Sequence, residues 1–300
     1  MKNISKLQIT IVLLMLLEFQ TIVFFICQSK QELNHPKIEI YSAFHKDYPI
    51  YRNEVVIPIH VGRALKRDFG RPLLSKMIGD DTGDNISLKN DRYAELTALY
   101  WIWKNSKADY VGLMHYRRSF IIDTSRFPEV NQHKFCHDYL CVLGVTHKNL
   151  EIMFRHYDII AHQKLILRET MFRHYHEAHH AADLIAAMRY ISDRYPEMIS
   201  ALVASVHSHN FYNLNMFILR KDIFDEYCEW LFDVLFHIEP QLSNDEGYQK
   251  RAAGFLAERL WNIWLEYITR GRLYRVAYVP VHNIGEREDL DNIVEDERNM

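Results

Sequence analysis

The chain has 300 residues, a formal net charge of −3, 48% hydrophobic and 13% aromatic residues, and few glycines and prolines. That composition supplies a core, excludes a disordered or repetitive chain, and gives no support to a nucleic-acid-binding surface. The four cysteines, Cys27, Cys136, Cys141 and Cys228, form no CxxC pair and no zinc spacing, which argues against a disulfide framework or structural metal and fits a reducing compartment.

Residues 7–27 are an apolar run behind Lys2 and Lys6, interrupted by Glu18 and Gln20. About 20 residues suffice to span a bilayer, and no small-residue cleavage site precedes Gln28. Residues 1–30 are therefore expected to form an N-terminal hydrophobic anchor helix. Glu18 near its centre costs about 2.5–3.5 kcal/mol on insertion scales, which leaves an interfacial helix as the alternative. Lys2 and Lys6 favour an inside amino terminus, which Lys30, Lys37 and Arg52 beyond the run partly offset.

Residues 37–44 alternate apolar and polar side chains as a first strand does, and the pattern breaks at His45, Lys46, Asp47 and Pro49. The loop after the first strand of a nucleotide-binding α/β domain approaches base and ribose. Ser42, Phe44 and His45 are candidates for that contact, a plain strand end being the competing reading. Residues 55–61 form a second apolar run, where Pro58 points to an edge or irregular strand. Residues 79–85, GDDTGDN, combine turn formers with Asp80, Asp81 and Asp84. Gly83 stands where a calcium loop needs a ligand, so a tight turn is expected.

Tyr93, Leu96, Tyr100 and Trp103 recur at helical spacing, and Tyr110 to Met114 is an apolar run of strand length. It ends in His115, Tyr116, Arg117 and Arg118. Ligands of open α/β sheets bind where strands end, and guanidinium forks grip phosphate bidentately and stack on rings. An anion site suited to a nucleoside diphosphate is expected there, against the alternative of solvated surface arginines.

Residues 169–208 read as helical and contain His174, His176, His179 and His180, with a break at Pro196. His176 and His180 at i and i+4 would share a face, as metal ligands do. The apolar set Ala181, Leu184, Ile185 and Met188 and the absence of HExxH favour an ordinary amphipathic helix with exposed histidines. Residues 211–220 read as a strand opening with Asn213 and Asn215, whose amides need partners such as sugar hydroxyl groups or local turn bonds. A helix over 222–237 follows, with Asp222 as its N-cap. Residues 243–267 carry Asp245, Glu246, Arg251 and Glu258 and lead into a helix with Leu256, Leu260, Trp264 and Tyr267 along a core stripe. A last strand over 274–281, then His282 and an acidic tail (286–300), complete the chain.

The strings ELTALYWIWKN and VGLMHYRRSF resemble a bacterial family of capsular and exopolysaccharide biosynthesis proteins described as a domain of unknown function and treated as glycosyltransferases. NEVVIPIHVGRAL from Asn53, GDDTGDNISLKN from Gly79, NMFILRKDIFDEYCEWLFDVL from Asn215 and GFLAERLWNIWL from Gly254 match it in the same order. The resemblance covers residues 37–285 and implies an α/β, GT-A-like catalytic domain, with a mixed central sheet flanked by helices. The implied activity is transfer of a hexose from a nucleotide-sugar donor to a growing, lipid-linked capsular or exopolysaccharide acceptor. Asn90 and Glu95 then become candidate walls of a donor site formed with Ser42, His45, His115, Tyr116, Arg117 and Arg118. Asn213 and Asn215 are placed on the acceptor side. Glu258 and Asp245 are candidates for the group that takes the acceptor hydroxyl proton.

Many GT-A enzymes hold manganese or magnesium with a D-x-D at a strand end. This chain carries D-x-D only at Asp289 to Asp291, in the tail. No metal ligand is assigned, and Arg117 or Arg118 is expected to offset the diphosphate charge, a divalent metal being optional. Bacterial nucleotide sugars are cytosolic, so the domain is expected on the cytoplasmic face of a single-pass membrane anchor. Two rival classes are a non-catalytic polysaccharide assembly factor and a phosphotransferase acting on a lipid-linked sugar. The lack of G-x-x-x-x-G-K-[ST] argues against a P-loop kinase.

Overall fold

Apolar residues at alternate positions build a sheet that is buried on both faces. The structure, a computed structural model, describes residues 35–65, 73–126, 139–243, 246–271 and 273–284. The expected anchor, Asp245, the D-x-D and the acidic tail lie outside these residues. Among the described residues no helix is long and apolar enough to cross a membrane.

The strands are β1 (Ile38–Phe44), β2 (Val56–His60), β3 (Ile78–Gly79), β4 (Tyr110–His115), β5 (Arg118–Phe120), β6 (Ile159–His162), β7 (Leu165–Ile166), β8 (Asn210–Phe211), β9 (Phe217–Arg220), β10 (Val276–Val279) and β11 (Val281–Asn283). The main sheet runs β10-β6-β9-β4-β1-β2-β3, with β5 and β11 added beyond the end of β4. Strand β9 is antiparallel to both β4 and β6, whereas β1, β2, β3 and β4 are parallel. The fold is thus mixed α/β. Pro58 in β2 faces Ser42 of β1, while β3 pairs only with Ile59 and His60; the missing N–H of proline therefore interrupts no ladder on the outer side.

Successive strand residues point to opposite faces. Tyr41, Val111, Leu113, Phe217 and Leu219 enter one core, and Ile40, Phe44, Met114, Met216 and Ile218 the other. Eight helices matter to the site: α1 (Asn90–Tyr93), α2 (Leu96–Asn105), α3 (His147–Phe154), α4 (Met171–Ala178), α5 (Ala181–Arg194), α6 (Ile199–Val206), α7 (Lys221–Ile238) and α8 (Ala252–Arg270). Helix α8 buries Leu256, Leu260, Trp261 and Trp264 in the first core. Full burial of such side chains is worth about 1.5–3 kcal/mol each, which fixes α8 against the sheet.

Three local expectations are corrected. The helical segment over 169–208 is three helices, and His179 is an extended C-cap between the first two. His176 and His180 therefore do not share a helix face, because i, i+4 geometry requires an unbroken helix. The strand expected over 211–220 is interrupted: β8 pairs with β7 in a separate ribbon, β9 joins the main sheet, and Asn213 and Asn215 lie between them. Asp222 lies in the first turn of α7, not at its N-cap, and accepts both Nε and Nη2 of the N-cap residue Arg220 at 2.7 and 2.9 Å. A bidentate guanidinium bond outcompetes the single backbone bond of a cap.

Candidate functional site

The parallel strands β1, β2 and β4 all end at one cavity of about 930 Å³. His45 and Lys46 follow β1, Val61 and Gly62 follow β2, and His115 closes β4, leading into Tyr116, Arg117 and Arg118. Asn213 and Leu214 reach the same place because β9 runs the other way and presents its start. The remaining wall comes from α1 (Asn90, Asp91), the turn with Ala94 and Glu95, the segment with Lys250 and Arg251, and Gly254, Phe255 and Glu258 of α8.

Asp80 organises one side of this cavity without touching it. It is fully buried, and its carboxylate accepts the backbone N–H of Gly62 (2.8 Å) and Arg63 (3.1 Å) and the hydroxyls of Ser87 and Thr97 (both 2.5 Å). The GDDTGDN segment is thus a structural turn whose first aspartate ties the loop after β2 to α2. Gly62 has φ +69°, and a Cβ there would meet the Asn90 side chain, so the loop needs a glycine both for its backbone and for its contact with α1.

The helix expected from Tyr93 onward is broken at Ala94, which has φ 49° and ψ −128°. This left-handed φ is costly for a residue with a Cβ. The Asn90 amide holds it by donating to Ala94 O at 2.7 Å and to Thr97 Oγ1 at 3.1 Å. The break aims Glu95 into the cavity. Ala94→Val, which puts a β-branched side chain at this φ, is expected to lower the free energy of unfolding by about 1–3 kcal/mol in urea titration.

Glu95 is the cavity's ionised carboxylate. Asn215 Nδ2 donates to Oε1 at 2.7 Å and Arg251 lies 3.7 Å from Oε2. Burial pushes its pKa up, but His115 in the protonated form it takes at acidic pH, the Asn215 amide and Arg251 outweigh burial and bring it below the ordinary range. Burial holds His115 neutral, with a pKa near 4, against the opposing pull of Glu95; Arg118 and Arg251 add to the fall. Its Nε2 is buried and makes no hydrogen bond. Glu258 behaves oppositely: burial raises its carboxyl to about 8 although Arg259 lowers it, and Glu95 adds to the rise. Two carboxyl groups in one cavity are therefore held in different protonation states at neutral pH. His162 in β6 is buried and neutral: burial depresses its pKa, Nδ1 faces Gln163 O at 2.8 Å, and Nε2 accepts the Leu214 N–H at 3.3 Å. It fixes the wall next to Asn213.

Five basic side chains, Lys46, Arg117, Arg118, Lys250 and Arg251, line the cavity against the three acids Asp91, Glu95 and Glu258. The site is cationic although the whole chain is slightly acidic. Lys250 pairs with Asp91 at 2.9 Å. Among the described residues, no trio of histidine, aspartate or glutamate in this cavity brings its ligand atoms within 4.8 Å of one another.

Of the residues singled out in the sequence, His45, Asn90, Glu95, His115, Tyr116, Arg117, Arg118, Asn213 and Glu258 line the cavity together. Ser42 does not: it is buried within β1, two residues short of the strand end. Asn215 is also buried beneath the wall, where its Nδ2 donates to Glu95 and to the Gly254 carbonyl while its buried Oδ1 makes no hydrogen bond. Lys46, Asp91, Lys250 and Phe255 were not foreseen as lining residues. Lys46 follows His45 directly, and Lys250 and Arg251 precede the matched segment GFLAERL, but only the tertiary arrangement turns them toward the strand ends.

The family described as Domain of unknown function (DUF4422) matches residues 39–269. The chain belongs to this family. Its structure is similar to the apo structure of WbbM, a bifunctional glycosyltransferase, with 30% sequence identity and a TM-score of 0.73. That similarity covers 83% of this chain and 46% of WbbM, so the chain spans less than half the length of that enzyme. No curated protein matches the chain. The mixed sheet with flanking helices is therefore glycosyltransferase-like in this member of the DUF4422 family, and the cavity at its strand ends is the candidate active site.

Proposed function

We propose that this DUF4422 protein is a glycosyltransferase that moves a hexose from a nucleotide-sugar donor to a growing, lipid-linked glycan of a capsular or exopolysaccharide. The observation that carries this reading is the meeting, in one cavity at parallel strand ends, of a basic cluster with two carboxyl groups held in different protonation states. Arg117, Arg118 and Arg251 supply forks for a diphosphate, and Lys46 and Lys250 add charge near it. Their positive charge stabilises the nucleoside diphosphate as it leaves. Glu258 and Asn213 lie on the α8 and β9 side, where an acceptor hydroxyl would approach. Ionised Glu258 takes that hydroxyl's proton as the acceptor oxygen bonds to the anomeric carbon and the bond to the donor phosphate breaks. Membrane attachment through residues 1–30, with the domain facing the cytoplasm, completes the proposal, because it brings a cytosolic donor to a lipid-linked acceptor.

Saturation-transfer NMR of the full chain with UDP, GDP, CMP and dTDP sugars tests it. One class of nucleotide sugar is expected to bind selectively. Arg117→Ala and Arg118→Ala are each expected to weaken that binding by about 10–100-fold, the worth of a charge-assisted hydrogen bond. A folded protein that binds none of these donors, or binds them equally well in both variants, would favour the non-catalytic assembly role.

A further inference from the structure

Arg259 is buried to 1% exposure, although its neighbours along α8, Leu256, Leu260 and Ile263, are core residues. A guanidinium stays charged at any ordinary pH, and burying it costs several kcal/mol unless it is well bonded. An aliphatic side chain would fill this position without that cost. The arginine's partners show what it does there. Its Nη1 donates to Phe255 O and to Glu258 Oε2, both at 2.9 Å. Its Nη2 meets His174 Nδ1 at 3.2 Å, and since arginine can only donate, His174 accepts and is neutral with its proton on Nε2. The rings of Phe211 and Tyr175 lie 4.7 and 4.9 Å from the guanidinium carbon.

Adjacent residues of a helix point about 100° apart, so Glu258 faces the cavity while Arg259 faces the core. The guanidinium reaches back to join them. Two histidines of this region thereby acquire a place: His174 of α4 bonds the arginine, and the C-cap His179 stacks on the cavity residue Phe255 at 4.1 Å and bonds Gln249 at 3.0 Å.

We propose that Arg259 is a positioning residue that fixes the Glu258 carboxyl at the cavity wall, and that His174 is the group through which α4 orients that arginine. The proposal deepens the transferase reading, since it concerns the group assigned there to the acceptor's proton. The charged groups around Glu258 are Arg259 on its own helix, Glu95 before α2, Arg118 of β5 and Arg251 before α8. Around the arginine, α4 supplies His174 and Glu177, its C-cap supplies His179, and α5 supplies Asp183. Arg259 bonds the carboxyl from the core side of α8, away from the space a substrate would fill.

The test follows the Glu258 carboxyl by NMR in full-length protein labelled with 13C at glutamate side chains, the signal being assigned by its loss in Glu258→Gln. Wild-type protein is expected to titrate at about 8. Arg259→Met is expected to raise the carboxyl's proton affinity by about tenfold or more, because a contacting cation favours the ionised form. Arg259→Lys should raise it less. If Arg259→Met does not fold, His174→Phe, which removes the arginine's acceptor from a partly exposed site, should move the midpoint in the same direction by about threefold in affinity. The limb of the pH–rate profile on which the rate rises with pH should move with the carboxyl. Unchanged midpoints in Arg259→Lys and His174→Phe would overturn the proposal. A shifted midpoint in a protein that transfers no sugar would uphold the positioning role and remove the transferase reading.

Discussion

Glu258→Gln is expected to lower kcat/KM by about 10²–10⁴-fold, the usual worth of a general base. Glutamine keeps the shape and still accepts a hydrogen bond from Arg259, but it cannot take a proton, so donor binding should change little while turnover falls. The wild-type rate should climb as pH rises through about 8, since burial leaves the carboxyl protonated below that value. The same shift bears on stability. Burial raises the folded pKa from an ordinary 4.5 to about 8, so between these values the folded chain holds a proton that the unfolded chain has released. The contribution of this group is full below pH 4.5 and is lost as pH rises through about 8. Urea titrations at pH 5 and pH 8 should show this loss in the wild type and its absence in Glu258→Gln. Full turnover by the glutamine variant would remove Glu258 from the chemistry.

Asp80→Ala is expected to cost about 3–5 kcal/mol of unfolding free energy, because it strips the acceptor from four buried or half-buried donors at once. Domains of this kind are stable by about 5–15 kcal/mol, so the loss is a large fraction of the total. Asp80→Asn should cost less, since one oxygen still accepts, although its amide then faces donors. The loop carrying Gly62 would lose its anchor, and donor affinity should fall in parallel. A urea midpoint within experimental error of wild type would contradict the role assigned to this carboxylate.

These two residues illustrate different degrees of legibility. Glu258 stands inside a string that resembles the DUF4422 family, and a carboxylate in such a string is a natural candidate for proton transfer. Asp80 looked like one of three turn acids, because nothing local distinguishes an aspartate that accepts four bonds from one in water. The arginines after β4 were visible as a pair at a strand end, where apolar periodicity stops and polar residues begin. Asn213 and Asn215 shared one local pattern, yet one faces the cavity and the other is buried against Glu95. Alternation along the chain could not separate them, because the strand it presumed is interrupted there. The paired histidines on a presumed continuous helix failed for a related reason: the extended backbone at His179 breaks the period.

Apolar periodicity and turn chemistry, both local properties, determined β1, β2, β4 and β10, the long helices α7 and α8, and the basic strand end of β4. Family resemblance in the same strings pointed to a glycosyltransferase-like domain. Only the tertiary structure decided that Lys46, Lys250 and Arg251 converge with Arg117 and Arg118. It likewise decided that Ala94 takes a strained turn to aim Glu95, and that Arg259 and His174, 85 positions apart, meet behind Glu258. Such convergence depends on which strands lie side by side and which one runs backwards, and a side chain's ionisation depends on neighbours that come from distant parts of the chain.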